Sequence, residues 1–116
     1  MKNQREKQRT WSATEIAFFS PKGDFLGKGS ALNLSETGVF ATYLNEETLK
    51  NLNAQTEFKF ETALPTGKVL GACQLAWLDE KETSAGIRFI SIDNDGGIQN
   101  LLQFVHSLFL GVKKVV

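Results

Sequence analysis

Asn33-Leu34-Ser35-Glu36-Thr37-Gly38 places a polar turn between two apolar runs, Ala31–Leu34 and Val39–Leu44. Asn and Ser side chains bond nearby backbone, and Gly adopts positive φ at little cost, so the stretch reads as the connection between two strands. Upstream, residues 1–9 form a polar arm carrying Lys2, Arg5, Lys7 and Arg9 against Glu6 alone. The chain has three arginines, and two of them are in this arm. Taken together, the arm and the turn suggest an anion site in which guanidinium groups face a rigid polar ledge.

The bulk properties limit what kind of anion this is. The 116 residues are 41% hydrophobic and 22% charged, with a formal net charge of +0, which suits a single globular domain over 1–116. Zero net charge argues against general nucleic-acid binding by a global positive field. Cys73 is the only cysteine, so neither an internal disulfide nor a cysteine-based metal site is expected, and its apolar surroundings mark it as a core residue. The polar N-terminus does not read as a signal peptide, and the apolar stretch Ile98–Val112 is broken by Asn100, Gln103, His106 and Ser107. The expected location is cytoplasmic.

Working outward from the turn, period-two patterns and turn residues divide the chain into six strand-like runs. They are expected at Trp11–Phe19, Phe25–Leu34, Val39–Leu44, Glu57–Glu61, Lys68–Leu78 and Ala85–Ile92. The clearest alternation is Glu57-Phe58-Lys59-Phe60-Glu61, with both phenylalanines on one face. Asn45 can cap a short helical segment whose first turn holds Glu46 and Glu47. A final helix is expected over residues 97–111, capped by Asp93 or Asp95 and ending at Gly111. The expectation is a mainly β fold: a six-stranded antiparallel barrel over 11–92, with a flexible arm over 1–10 and a C-terminal α-helix.

Arg5-x-x-x-Arg9 followed by Asn33-x-Ser35-x-x-Gly38 resembles the two-part signature of PilZ domains, and Gly86-Ile87-Arg88-Phe89 resembles the family's last barrel strand. The resemblance covers nearly the whole chain. It implies a PilZ-type barrel that binds cyclic di-GMP, a bacterial second messenger, in the control of motility or biofilm formation. By the same resemblance, Arg5 and Arg9 grip phosphates and guanine edges. Asn33 and Ser35 hydrogen-bond a guanine from the turn, which Gly38 allows to close. Gln4 is a position that influences how many ligand molecules bind, and Trp77 either stacks on a guanine or packs against barrel or helix. The chemistry fits these roles: a planar guanidinium fork suits phosphate oxygens and guanine O6 and N7, whereas lysine supplies charge without the fork.

Other chemistries find little support. Gly27-Lys28-Gly29 lacks the third glycine of a dinucleotide loop, and Thr66-Gly67-Lys68 is not a phosphate-binding Walker motif. His106 is the only histidine, so no metal site and no enzyme are expected. Lys28 reads as a solvated lysine. The expected partners are cyclic di-GMP and a downstream protein that receives the signal, with the chain a monomer or a dimer formed through ligand or helix. Two alternatives stand beside this reading: a degenerate PilZ module that binds proteins without nucleotide, and a small barrel that binds single-stranded nucleic acid. Ordering an arm costs about 1–2 kcal/mol for each backbone residue fixed. Residues 1–9 are therefore predicted to be cleaved readily by protease in the free protein and protected by cyclic di-GMP. Equal cleavage in both states would contradict this.

Overall fold

The computed structural model describes residues 14–115, with side chains described over 14–107. The arm at 1–10, with Gln4, Arg5 and Arg9, lies outside the described residues, as do residues 11–13 of the first expected strand. The elements are β1 (Thr14–Phe19), β2 (Phe25–Leu32), β3 (Gly38–Thr42), α1 (Glu46–Asn53), β4 (Phe58–Leu64), β5 (Gly67–Asp79), β6 (Ser84–Ile92) and α2 (Gly97–Val115). All strand pairings are antiparallel, in the order β1-β2-β3-β6-β5-β4. Pairing of β4 with β1, from Ile16↔Thr62 to Phe19↔Lys59, closes the sheet into a barrel without a free edge.

Alternation fills the inside of this ring. In β4, Phe58, Phe60, Thr62 and Leu64 are buried while Lys59 and Ala63 face outward. Phe18 meets Phe58 edge to face at 5.7 Å, and Phe60 stacks on Phe89 at 4.6 Å. Cys73 is buried among them, and burial pushes its thiol above the usual range. The buried Thr62 hydroxyl donates to the Glu15 carbonyl at 2.7 Å, so the core keeps its polar atom satisfied.

Each end of the barrel is covered by a helix. The Asn45 side chain caps α1 by accepting from the Thr48 N–H at 2.7 Å, as the sequence predicts. Leu49 and Leu52 are buried, and the Asn51 amide donates to the Leu26 carbonyl at 2.9 Å, tying α1 to the start of β2. At the other end, α2 buries Leu101 and Phe104. The α2 junction departs from the expected capping. Asp93 accepts from the Ser91 hydroxyl at 2.8 Å, and the first turn of the helix holds no acidic residue. Asn94 organises the junction instead, accepting from the Leu70 N–H and donating to the Lys68 carbonyl, each at 2.9 Å. The helix also continues through Gly111 to Val115. One interior glycine costs a helix only about 1 kcal/mol, too little to force a stop.

Two strands are shorter at one end than their apolar runs. Leu34 and Leu44 are buried but lie beyond β2 and β3. Each follows a residue in the left-handed region, Asn33 at φ 47 and Tyr43 at φ 58, where the chain leaves the ladder. These leucines cover the barrel's ends rather than extend its wall. Among the described residues, no helix is long and apolar enough to cross a membrane.

Phe104→Ala removes a buried aromatic from the contact between α2 and the barrel. The expected cost is about 3 kcal/mol or more. Urea denaturation checks this, and a loss below about 1 kcal/mol would mean that α2 contributes little to the fold.

Candidate functional site

The turn between β2 and β3 is held by its own hydrogen bonds. The Ser35 N–H donates to the Gly38 carbonyl at 2.9 Å. The Ser35 hydroxyl oxygen accepts from the Thr37 and Gly38 N–H groups, each at 3.2 Å. The hydroxyl also lies 3.2 Å from the Gly38 carbonyl and 3.3 Å from the Thr37 hydroxyl. Ser35 therefore fixes the shape of the turn. Asn33 differs: it is exposed, and its amide bonds no other described residue, leaving donors and an acceptor for a ligand.

The expected role for Gly38 changes in its physical basis. The left-handed residue of the turn is Asn33; Gly38 is not among the positive-φ glycines. Gly38 is needed for close approach, because a Cβ there would meet the Ile87 carbonyl oxygen. That approach lets the Thr37 carbonyl accept from the Phe89 N–H at 2.9 Å, docking the turn on β6.

Cross-strand register then assembles an outer face beside the turn. Gly38 is opposite Arg88, and Phe40 is opposite Gly86. On the other side of β6, Gln74 is opposite Arg88 and Trp77 is opposite Gly86. The register shift between Leu75 and Trp77 is decisive for the tryptophan. Simple alternation from outward-facing Gln74 would turn Trp77 inward, and the bulge re-aims it. Trp77 is 48% exposed, with its indole over Gly86 and its ring centroid 5.4 Å from that of Phe40. It is an aromatic of the barrel's outer face.

Arg88 is the residue of this face that motif reading missed. It is exposed, directly opposite Gly38, and pairs with no carboxylate among the described residues. With the Gln74 amide assigned so that its oxygen faces the guanidinium, that oxygen accepts from Arg88 Nε at 3.0 Å and also from Nη2. Alternation of Ile87 and Phe89 signals that Arg88 points outward, but its nearness to Gly38 depends on register between strands far apart in sequence. Lys28 makes an ion pair with Glu15 at 3.4 Å, both side chains well exposed, so the pair adds little stability.

Register thus puts Gly38 and Trp77 on the strands either side of β6, Asn33 and Ser35 lie in the turn that precedes β3, and Gln4, Arg5 and Arg9 lie outside the described residues. The turn also faces α2 across an open groove of about 400 Å³, lined by Glu36, Leu102, Gln103, Val105 and His106. No protein-family model matches the chain, and no curated protein matches it.

Two substitutions separate the conformational demands of the turn. Asn33→Gly is expected to leave stability within about 0.5 kcal/mol, whereas Asn33→Ala should cost about 1 kcal/mol for the left-handed backbone. Gly38→Ala should cost about 1–3 kcal/mol by crowding the β6 carbonyl. Thermal denaturation of the three variants checks the order, and a neutral Gly38→Ala would contradict the docking described here.

Proposed function

We propose that this chain is a PilZ-type domain that binds cyclic di-GMP on the outside of its barrel, between the Asn33–Gly38 turn and the arm carrying Arg5 and Arg9. The observation that carries this reading is where the arm is rooted. Thr14, at the start of β1, pairs with Ala31, two positions before Asn33. Extended backbone spans about 3.3–3.6 Å per residue, so Arg9 can lie up to roughly 17 Å from Thr14, and Arg5 up to roughly 30 Å. Both arginines can therefore reach a ligand lying on the turn.

The chemistry supports the same ligand. Two phosphodiester charges call for the guanidinium forks of Arg5 and Arg9. Asn33 offers an amide on an exposed, preorganised turn, Ser35 and Gly38 hold that turn, and Trp77 offers an aromatic face for a base. Gln4, next to Arg5, is the residue that the resemblance links to ligand stoichiometry. This is binding without turnover, and the signal passes to a protein partner through the surface formed when the arm covers the ligand.

Titration calorimetry of the full chain with cyclic di-GMP, and separately with a short single-stranded oligonucleotide, tests the proposal. Micromolar affinity corresponds to about 8 kcal/mol, of which a hydrogen bond to a charged group supplies about 1.5–3 kcal/mol. Arg5→Ala and Arg9→Ala should each weaken cyclic di-GMP binding by roughly ten- to a hundredfold. Heat with the oligonucleotide alone would replace this reading with single-stranded nucleic-acid binding. No heat with either would favour the protein-docking alternative.

A further inference from the structure

We propose that Arg88, braced by Gln74, reads the guanine edge of the bound cyclic dinucleotide and makes the site selective for guanine over adenine. This inference rests on cyclic di-GMP lying on the outer face beside the Asn33–Gly38 turn.

Position supports the assignment first. Arg88 is directly opposite Gly38, so the docked turn and the guanidinium stem share one rung of the sheet. The next rung carries Phe40, Gly86 and Trp77, where the indole covers Gly86 and remains 48% exposed. Outward positions two residues apart on a strand are about 6–7 Å apart. A purine lying on the indole therefore brings its edge within the length of the Arg88 side chain.

The brace accounts for orientation. A guanidinium has five N–H donors in a fixed planar fork. Gln74 accepts from Nε and Nη2, which occupies one edge of that fork. The remaining edge, formed by Nη1 and the second Nη2 hydrogen, has no partner among the described residues. Holding one edge limits the rotamer freedom that an exposed arginine otherwise loses on binding. The open edge presents two parallel donors, and guanine meets them with two acceptors, O6 and N7. Adenine offers N7 beside the N6 amino donor, which sets donor against donor. Selectivity follows from that mismatch, because charge alone would attract either dinucleotide through its phosphates.

Calorimetry with cyclic di-GMP and cyclic di-AMP on the wild type, Arg88→Ala, Arg88→Lys and Gln74→Ala tests this. Arg88→Ala is expected to weaken cyclic di-GMP binding roughly ten- to a hundredfold and to shrink the affinity ratio between the two ligands by a similar factor. Gln74→Ala should shift both quantities in the same direction by a smaller amount. Lysine should fail to restore the ratio, because it lacks the fork. Arg88 is exposed, so a thermal midpoint matching the wild type is expected and separates loss of recognition from loss of fold. Wild-type cyclic di-GMP affinity in Arg88→Ala would overturn the role of Arg88 while leaving the receptor reading intact. Equal weakening of both ligands, or full rescue by lysine, would overturn base-edge reading. A wild type that binds neither dinucleotide would overturn both this inference and the receptor reading beneath it.

Discussion

The docking of the Asn33–Gly38 turn on β6 is the contact on which the outer face depends. The Thr37 carbonyl takes the Phe89 N–H, and Gly38 comes against the Ile87 carbonyl at a distance that no side chain would permit. This fixes the register of β3 against β6, and so which residue stands opposite which. A shift of one residue in that pairing would reverse the faces of β6, sending Arg88 inward and Ile87 and Phe89 outward. Burying an unpaired guanidinium is costly enough to make such a slip prohibitive. The same turn delivers buried Leu34 to the barrel end that α2 covers. One backbone contact thereby joins the wall, the end and the candidate site.

What the sequence reveals divides along the same line between local and non-local effects. The alternation of Phe58 and Phe60 with Lys59 is a local property of a strand with one buried face, and the structure shows it. The Asn45 cap is local too. The strand ends at Leu32 and Thr42 were not legible, because burial of Leu34 and Leu44 looks identical whether a residue is in a wall or over an end. A left-handed Tyr43 is nearly invisible in sequence, since bulky residues seldom adopt that region. Gly38 illustrates a different ambiguity. Glycine serves both positive φ and close approach, and only the neighbouring strand decides between them. Arg88 depends on register as well, and the outward turn of Trp77 depends on a bulge that carries no glycine or other marker. The turn between β2 and β3 was readable; the strand face beside it was not.

The filled interior is consistent with the proposed site lying on the outside. Phe18, Phe58, Phe60, Ile16 and Val69 occupy the centre of the ring with almost no exposure, so the barrel has no room for a ligand. Outward positions are then free of packing constraints and can carry function. Phe40, Trp77 and Arg88 have no role in the core, yet they lie on adjacent strands beside a turn whose polar groups are already arranged. Trp77 packs over Gly86 and beside Phe40, and on the proposed reading its exposed face would also take a base-sized planar partner.

Zero net charge adds a constraint on how such a face can select a ligand. Without a global positive field, a dianionic dinucleotide is not concentrated at the surface by long-range attraction. Affinity must then come from short, directed bonds, and these require donors held in place before the ligand arrives. The described half of the proposed site meets that requirement: the Ser35 hydroxyl closes the turn, β6 holds it, and the Gln74 amide holds the guanidinium. On the proposed reading, such rigidity would leave the cost of ordering to the arm, and its binding would be the step that converts occupancy into a new surface. On that reading, a neutral barrel with a fixed ledge would suit signalling better than a strongly basic one, which would hold many anions without requiring closure over any of them.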